Sequence, residues 1–475
     1  MKKTFSNVIF NVVYQMLIVA IPLITVPYVA RVLGVENLGI NSYVTSILSF
    51  LSVIIMMGLN QVGVKKIAEV VNADENKILE RFQGLWGLQF IVGLLVILIL
   101  LSITALFLPY KLYFLLSIPY LLGFAIDTTW FYIGIGKVRQ VVVRNSLIKI
   151  FSLLFIFICV KSKEDLWVYV LINSVGLFVA NIIFWEPLFK RFGLKLIFFK
   201  LSNIKRYIIP NLIIMVPLIA VQFYTNMDST IVGTIAGSIQ LSYYDQSQKM
   251  ARLILTIFTA ISTVLMPRLV QIKKNRAEFN MVLKFSLDTT LILSLYFILV
   301  LVVNAIDFVP WFFGNSFKPM VFNMQLVSLI ILFIGYGGVF ANQFAVAKGL
   351  LKEFAIPYYF GAVFSVGMNF ILVPRFGANG GTVVIVLTEL LVCSLRMMLV
   401  RKYFHWGDLL QDEWKYLVGF IVSIAVGIFF NPAIGNAFIT MVVRTIIVTF
   451  SFALVIFMTK PIIFKNFKIL FKSNK

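Results

Sequence analysis

Apolar runs of bilayer length follow one another from residue 6 to residue 458, with only short basic segments between them. A helix needs about 20 consecutive apolar residues to cross the hydrocarbon core, where the backbone has to satisfy its own hydrogen bonds. The runs lack the strict apolar–polar alternation of a membrane barrel. Composition agrees: 61% of the residues are hydrophobic, 13% are charged, and the mean hydropathy is +0.98. A water-soluble fold needs more polar surface than this. The sequence therefore predicts an all-α integral membrane protein with about fourteen transmembrane helices. They fall near 6–30, 40–59, 84–108, 112–135, 147–160, 166–185, 207–232, 241–266, 283–305, 320–346, 354–373, 382–400, 416–430 and 438–458. The start, Lys2-Lys3 and then an apolar run, resembles a signal peptide. Asn11, Gln15 and two prolines interrupt that run, and no small-residue cleavage site is evident, so it reads as the first helix.

The stretch PLITVPYVARVLGVENLGINSYVTS, Pro22 to Ser46, places two prolines, one arginine and a Gly34–Gly39 turn between two apolar runs, the pattern of a membrane hairpin. It recurs. Pro22-Leu23-Ile24-Thr25-Val26 is answered by Pro217-Leu218-Ile219-Ala220-Val221, Gly34 by Gly233, and Ser42-Tyr43 by Ser242-Tyr243. This predicts two pseudo-symmetric six-helix lobes, 1–186 and 207–400, joined by a basic connector, 187–206. A last segment, 401–475, adds a loop, two extra helices and a basic tail. Parallel repeats with a site between them are a transporter plan.

The formal net charge is +22. With the N-terminus in the cytoplasm and the fourteen spans alternating, cytoplasmic segments hold 30 Lys and Arg residues and external segments hold 6. That bias is strongly positive-inside and requires an even number of spans, with both termini cytoplasmic. The excess charge then reflects topology and attraction to anionic lipid rather than nucleic acid. Cys159 and Cys393 lie in apolar runs, and the single histidine, His405, lies in a loop. Neither a disulfide framework nor a metal centre is predicted. No phosphate-binding Gly-rich loop is present, so the chain does not hydrolyse ATP by itself. No acidic metal-binding cluster of a membrane glycosyltransferase is seen. No cofactor is expected.

An ionisable residue at membrane depth is costly, so each one is a functional candidate. Arg31 sits at the first outer turn, Lys149 begins the fifth span, and Lys249 and Arg252 share the eighth. These four are the candidate binders of an anionic head group. Asp127 in the fourth span, Asp228 in the seventh, Asp245 in the eighth and Glu389 in the twelfth are the candidate gating or ion-coupling carboxylates. Asp245 and Lys249 are spaced to pair on one helix face. For these residues the alternative is interhelical pairing that fixes helix register, and for Arg31, at the interface, a side chain that simply snorkels to the surface. Arg444, in the last span, is expected to reach a lipid phosphate or the membrane surface. Pro22, Pro27 and Pro217 are candidate hinges, with static helix shape as the alternative.

Four segments together resemble the Wzx-type oligosaccharide-lipid flippases of the multidrug/oligosaccharidyl-lipid/polysaccharide exporter superfamily. They are PYVARVLGVENLGINSY, IDTTWFYIGIGKVRQVVVRNSLIKI, NMDSTIVGTIAGSIQLSYYDQSQKM and PRFGANGGTVVIVLTELLV. Gly136-Lys137 and Tyr244-Asp245 depart from the family pattern, which often has an acidic residue at the first place and a small one at the second. The resemblance implies that an undecaprenyl-diphosphate-linked oligosaccharide is moved across the bacterial plasma membrane. The mechanism it implies is ion-coupled alternating access, serving capsule, O-antigen or exopolysaccharide synthesis alongside a polymerase. A basic cavity would neutralise the diphosphate, and the last two helices would line a groove for the lipid tail. A drug/cation antiporter of the same superfamily is the first alternative, although it calls for an acidic cavity. A lipid II flippase and a scaffold subunit without transport are the others.

Overall fold

The computed structural model describes residues 2–464 other than 431 and 433, and the side chains of residues 19–464 other than 217, 220, 224, 431 and 433. Among the described residues there is no strand. Eleven helical stretches among them are long and apolar enough to cross a membrane. Contacts divide the chain into two units, residues 1–230 and 231–475.

The first unit contains α1 (Lys2–Met56), α2 (Leu59–Ala68), α3 (Glu75–Leu106), α4 (Lys111–Leu116), α5 (Ile118–Ala125), α6 (Thr129–Gly134), α7 (Val138–Cys159), α8 (Leu166–Ile182), α9 (Trp185–Phe192) and the first part of α10 (Leu201–Gln271). Helix α1 bears the two prolines, yet its one non-helical residue is Gly34, at φ 78° and ψ 178°. That conformation is accessible to glycine and not to a residue with a Cβ. The turn expected over Gly34–Gly39 is thus a break at a single residue. The buried core gathers where α2, α3, α6 and α9 meet, around Phe82, Trp86, Trp130 and Trp185. Gly63 on α2 admits the Trp130 ring: a Cβ there would lie 2.8 Å from it. The part of α10 before residue 231 packs within this unit. Ile214 lies against Gly58, Phe223 lies edge-on to Phe50, and the Thr230 hydroxyl is 2.8 Å from that of Ser46.

The second unit holds the remainder of α10, then α11 (Arg276–Phe313), α12 (Val321–Val327), α13 (Leu329–Gly338), α14 (Val346–Lys348), α15 (Leu351–Val400), α16 (Trp406–Leu409), α17 (Glu413–Phe429) and α18 (Ala437–Thr459). Two of its helices break at glycine: α10 at Gly237 (φ 87°, ψ 174°) and α15 at Gly377 (φ 55°, ψ −130°). Gly237 repeats the dihedrals of Gly34 to within ten degrees. The register of the internal repeat is therefore one helical turn later than Gly233, which stays inside the helix. Helices α17 and α18 do not stand apart. Gly427 lets α17 approach Val303 of α11 and Val448 of α18, and Asn304 and Tyr296 of α11 bond to Thr445 and Thr449 of α18.

Long apolar side chains lie on the outside throughout, with Phe107 78%, Val363 76% and Phe429 88% exposed. Such a surface is stable only against lipid.

Candidate functional site

The membrane segment 111–134 is discontinuous. Helix α5 ends at Ala125, α6 begins at Thr129, and the three residues between them are non-helical. A break at membrane depth frees backbone groups, and each requires a new partner. Side chains supply them. Asn181 donates to Gly123 O at 2.8 Å, Gln89 to Phe124 O and Asp127 O, Trp185 to Ile126 O at 2.8 Å, and Trp130 to Asp127 O at 3.0 Å. The Asp127 carboxylate accepts the first free N–H of α6, Thr129 N, at 2.8 Å, and also accepts the Thr129 hydroxyl. Asp127 thus caps a half-helix whose positive dipole end it faces.

Arg144 completes this centre. Counted with a cytoplasmic loop on sequence, it is instead buried two turns into α7, 8% exposed. Its guanidinium donates to Asn181 Oδ1 at 2.8 Å and Ala180 O at 3.1 Å on α8, to Thr129 Oγ1 at 3.2 Å on α6, and to its neighbour Asn145. It also lies 4.1 Å from the centre of the Phe184 ring. A planar fork with five donors makes this set of contacts, and an ammonium does not.

Beside Arg144 a cavity of about 1020 Å³ runs between α7 and α8. Arg139, Gln140 and Arg144 line one end together with Phe184, while Phe151, Phe155, Val168 and Leu171 line the rest. No carboxylate lines it. From Arg139 to Phe155 along α7 is about 24 Å at 1.5 Å per residue. Cations at one end of a long apolar trough match a lipid chain with an anionic head.

The other predicted residues lie elsewhere. Arg31 is exposed on α1 before the Gly34 break, and Lys149 is half-buried on α7. Asp228 is buried, two residues from the Thr230–Ser46 contact. In the second unit Asp245 and Lys249 form the anticipated pair, Oδ2 to Nζ 2.6 Å, with Lys249 45% exposed. Arg252, one turn further on, donates to Gln248 Oε1 at 3.2 Å. Glu389 is buried on α15, two turns before buried Arg396, whose guanidinium lies 4.9 Å from the centre of the Tyr358 ring. Pro22 and Pro27 lie within α1, and the side chain of Pro217 lies outside the described residues. Arg444 does not extend outward: it is buried, 5% exposed. It pairs with Asp307 at 2.8 Å and donates to Val303 O, so it joins α18 to α11.

Sequence reasoning missed Arg144, and in the second unit Lys284, Asp288 and Glu413. Lys284, one of the 30 cations counted as cytoplasmic although it opens the expected 283–305 span, lies on α11 with Asp288 one turn away, 2.6 Å apart. The i, i+4 spacing that identified Asp245–Lys249 was present in this pair as well. In the loop after α2, hydrogen bonds from Arg81 and Lys66 hold the Glu69 carboxyl below its usual range.

Residues 5–273 match the family model described as polysaccharide biosynthesis protein. The chain belongs to that family. It is 23% identical over 400 residues to the "Putative O-antigen transporter" of Escherichia coli (strain K12), covering 83% of this chain and 96% of that protein. The protein of the same description from Shigella dysenteriae is 24% identical over 387 residues, covering 80% of this chain and 96% of its own. Among solved structures, the inward closed conformation of the lipid II flippase MurJ is similar with a TM-score of 0.75 at 14% identity, covering 95% of this chain and 98% of that one. An inward-facing multidrug resistance MATE transporter of the MOP superfamily is similar with a TM-score of 0.60 at 13% identity, covering 81% and 94%. At these identities the structural likeness establishes the fold. The chain is a multi-pass membrane protein with a MurJ/MATE-like helical fold.

Proposed function

We propose that this family member is a flippase for an undecaprenyl-diphosphate-linked oligosaccharide repeat unit in the bacterial plasma membrane, supplying polysaccharide assembly without itself catalysing a reaction. The observation that carries the reading is the α7–α8 trough, basic at one end and apolar along its length, in a chain of this family. The sugar and diphosphate cannot enter hydrocarbon without paired charges, whereas the prenyl chain belongs in it. Helix α18, hydrogen-bonded to α11, and α17, packed against both at Gly427, fit the expected role of tail groove less well. A drug/cation antiporter calls for carboxylates to hold an organic cation, and the trough has none.

In this proposal Arg139, at the basic end of the trough, meets the diphosphate; Arg31, Lys149, Lys249 and Arg252, which do not line the trough, are further candidate contacts. Asp228, Asp245 and Glu389 serve gating or ion coupling, and Asp127 positions the half-helix α6. The prolines of α1 act with the Gly34 break as a hinge. Dividing α1 and α15 at their glycine and counting the 17-residue α17 raises the eleven apolar stretches to fourteen; the even number and the positive-inside bias support both ends in the cytoplasm. A polymerase in the same pathway takes up the product.

The test is complementation of a bacterial strain deleted for its own repeat-unit flippase, scored by surface polysaccharide and by lipid-linked intermediate retained in the cell. Restored export, lost on Arg139→Gln at the basic end of the trough, is the expected result; the same loss on Lys249→Gln with Arg252→Gln would add those two to the path. Restored drug resistance with no export would instead put the antiporter first.

A further inference from the structure

The second unit buries a polar centre that the transport reading does not use. Lys284 and Asp288 stand one turn apart on α11, with side chains 6% and 0% exposed and Nζ 2.6 Å from Oδ1. Lys284 also donates to Gln411 O at 2.7 Å and lies 3.9 Å from Glu413 Oε1, at the start of α17. Tyr336 of α13 donates to that same glutamate oxygen at 2.7 Å. The buried Tyr416 hydroxyl, one turn along α17, interacts electrostatically with Asp288. Residues from three well-separated stretches of sequence converge here.

The charges of this centre do not balance. Two carboxylates face one ammonium. Asp412 and Lys415, at the edge of the cluster, cancel each other at 2.8 Å. From the neighbouring helices α13 adds the Tyr336 phenol and α15 the Cys393 thiol, both neutral groups. One negative charge remains, largely shut off from water, where it is heavily penalised. A second observation is independent of this count. Asp288 Oδ2 and the Tyr416 hydroxyl are both buried and neither completes a hydrogen bond of normal geometry, although the two side chains interact. A buried carboxylate oxygen without a well-made hydrogen bond is heavily penalised, whereas a carboxylic acid O–H supplies a donor that the Tyr416 oxygen can accept.

We propose that this cluster binds one exchangeable proton, shared between Asp288 and Glu413, with Lys284 as the fixed counter-charge. Hydronium gives one proton to a carboxylate oxygen: one O–H bond breaks in the donor, one forms on the carboxyl, and water is left. The two carboxyls titrate as a pair rather than singly. The occupied cluster joins α11 to α17 without net charge. The emptied one leaves a buried negative charge at the same junction. Use of the site as the coupling site of transport rests on the flippase reading, but its occupancy by a proton does not.

The test uses the full-length protein in lipid nanodiscs. Infrared difference spectra, recorded as pH is stepped between about 5 and 9, read the C=O stretch of a protonated carboxyl and its shift in D₂O. The expected wild-type result is a band that grows as pH falls. Asp288→Asn and Glu413→Gln should each remove at least half of it, because the remaining carboxylate is balanced by Lys284. Lys284→Gln should move the appearance of the band about one unit higher in pH. Replacing choline by sodium at fixed pH and ionic strength should leave the band unchanged. The proposal is overturned if the wild type shows no such band, if both carboxyl variants keep it whole, or if sodium abolishes it, which would make the ligand a sodium ion. The wild-type pH and sodium arms decide the matter alone where a substitution prevents folding. Unchanged polysaccharide export by Asp288→Asn, with its band lost, would keep the proton site and remove it from transport.

Discussion

Replacing Arg144 tests whether the broken membrane segment 111–134 is held in place by one guanidinium. The side chain is 8% exposed and makes three bonds across helices, to Asn181 Oδ1, Ala180 O and Thr129 Oγ1. Hydrogen bonds to a charged donor contribute about 1.5–3 kcal/mol each, are not additive, and leave buried acceptors unsatisfied when the donor is removed. Arg144→Met is therefore expected to cost about 3–5 kcal/mol, the range for breaking a buried charged contact from one side. Arg144→Lys keeps the charge but reaches fewer acceptors, so it is expected to cost about 2 kcal/mol. If residues 1–230 melt as one body, the usual unfolding entropy per residue converts these to losses of roughly 6–10 °C and 4 °C in apparent Tm. Fluorescence-detected size-exclusion after heating measures both. An Arg144→Lys protein that melts within a degree of wild type would refute the claim that the fork, rather than the charge, does the holding.

Gly63→Val puts a side chain into the Trp130 ring, where even a Cβ would come within 2.8 Å; overpacking of this kind costs about 1–3 kcal/mol. A lower apparent Tm checks it. Gly237→Ala meets no atom within 4 Å, so its cost, about 1–3 kcal/mol, comes from the positive φ alone. An unchanged Tm would show that the break does not need glycine. Glu69 has a lowered carboxyl pKa, so its ion pairs with Arg81 and Lys66 stabilise above the ordinary carboxylate value of 4.5 and fade as pH falls through the lowered one. The Tm difference between wild type and Glu69→Gln should be full above pH 4.5 and vanish only once the pH has fallen through the lowered value.

Several features were legible in the sequence because they depend on local order. Apolar runs set the helices, and the Asp245–Lys249 pair followed from spacing alone. The carboxylate of IDTTWFYIGIG was singled out as Asp127, although its role as a cap was not, since no proline or glycine stands among the three residues of the break itself. Arg144 and Lys284 were misplaced for a shared reason. Each lies within a few residues of a basic loop, and composition does not tell a cation that ends in water from one that turns inward. Gly233 was preferred to Gly237 because both sit in one glycine-containing stretch, one turn apart.

The sequence by itself determined that the chain lives in a bilayer as helices, that its opening hairpin is repeated, and which family it belongs to. Those properties follow from hydropathy and from short motifs, which need no partner to be read. The tertiary structure decided which charges are buried and what they touch. Asp127 with Arg144, Lys284 with Asp288 and Glu413, and Arg444 with Asp307 are pairings in which membership depends on how helices distant in sequence pack. Inside a membrane an ionisable group is tolerated only where such packing brings it a partner or water.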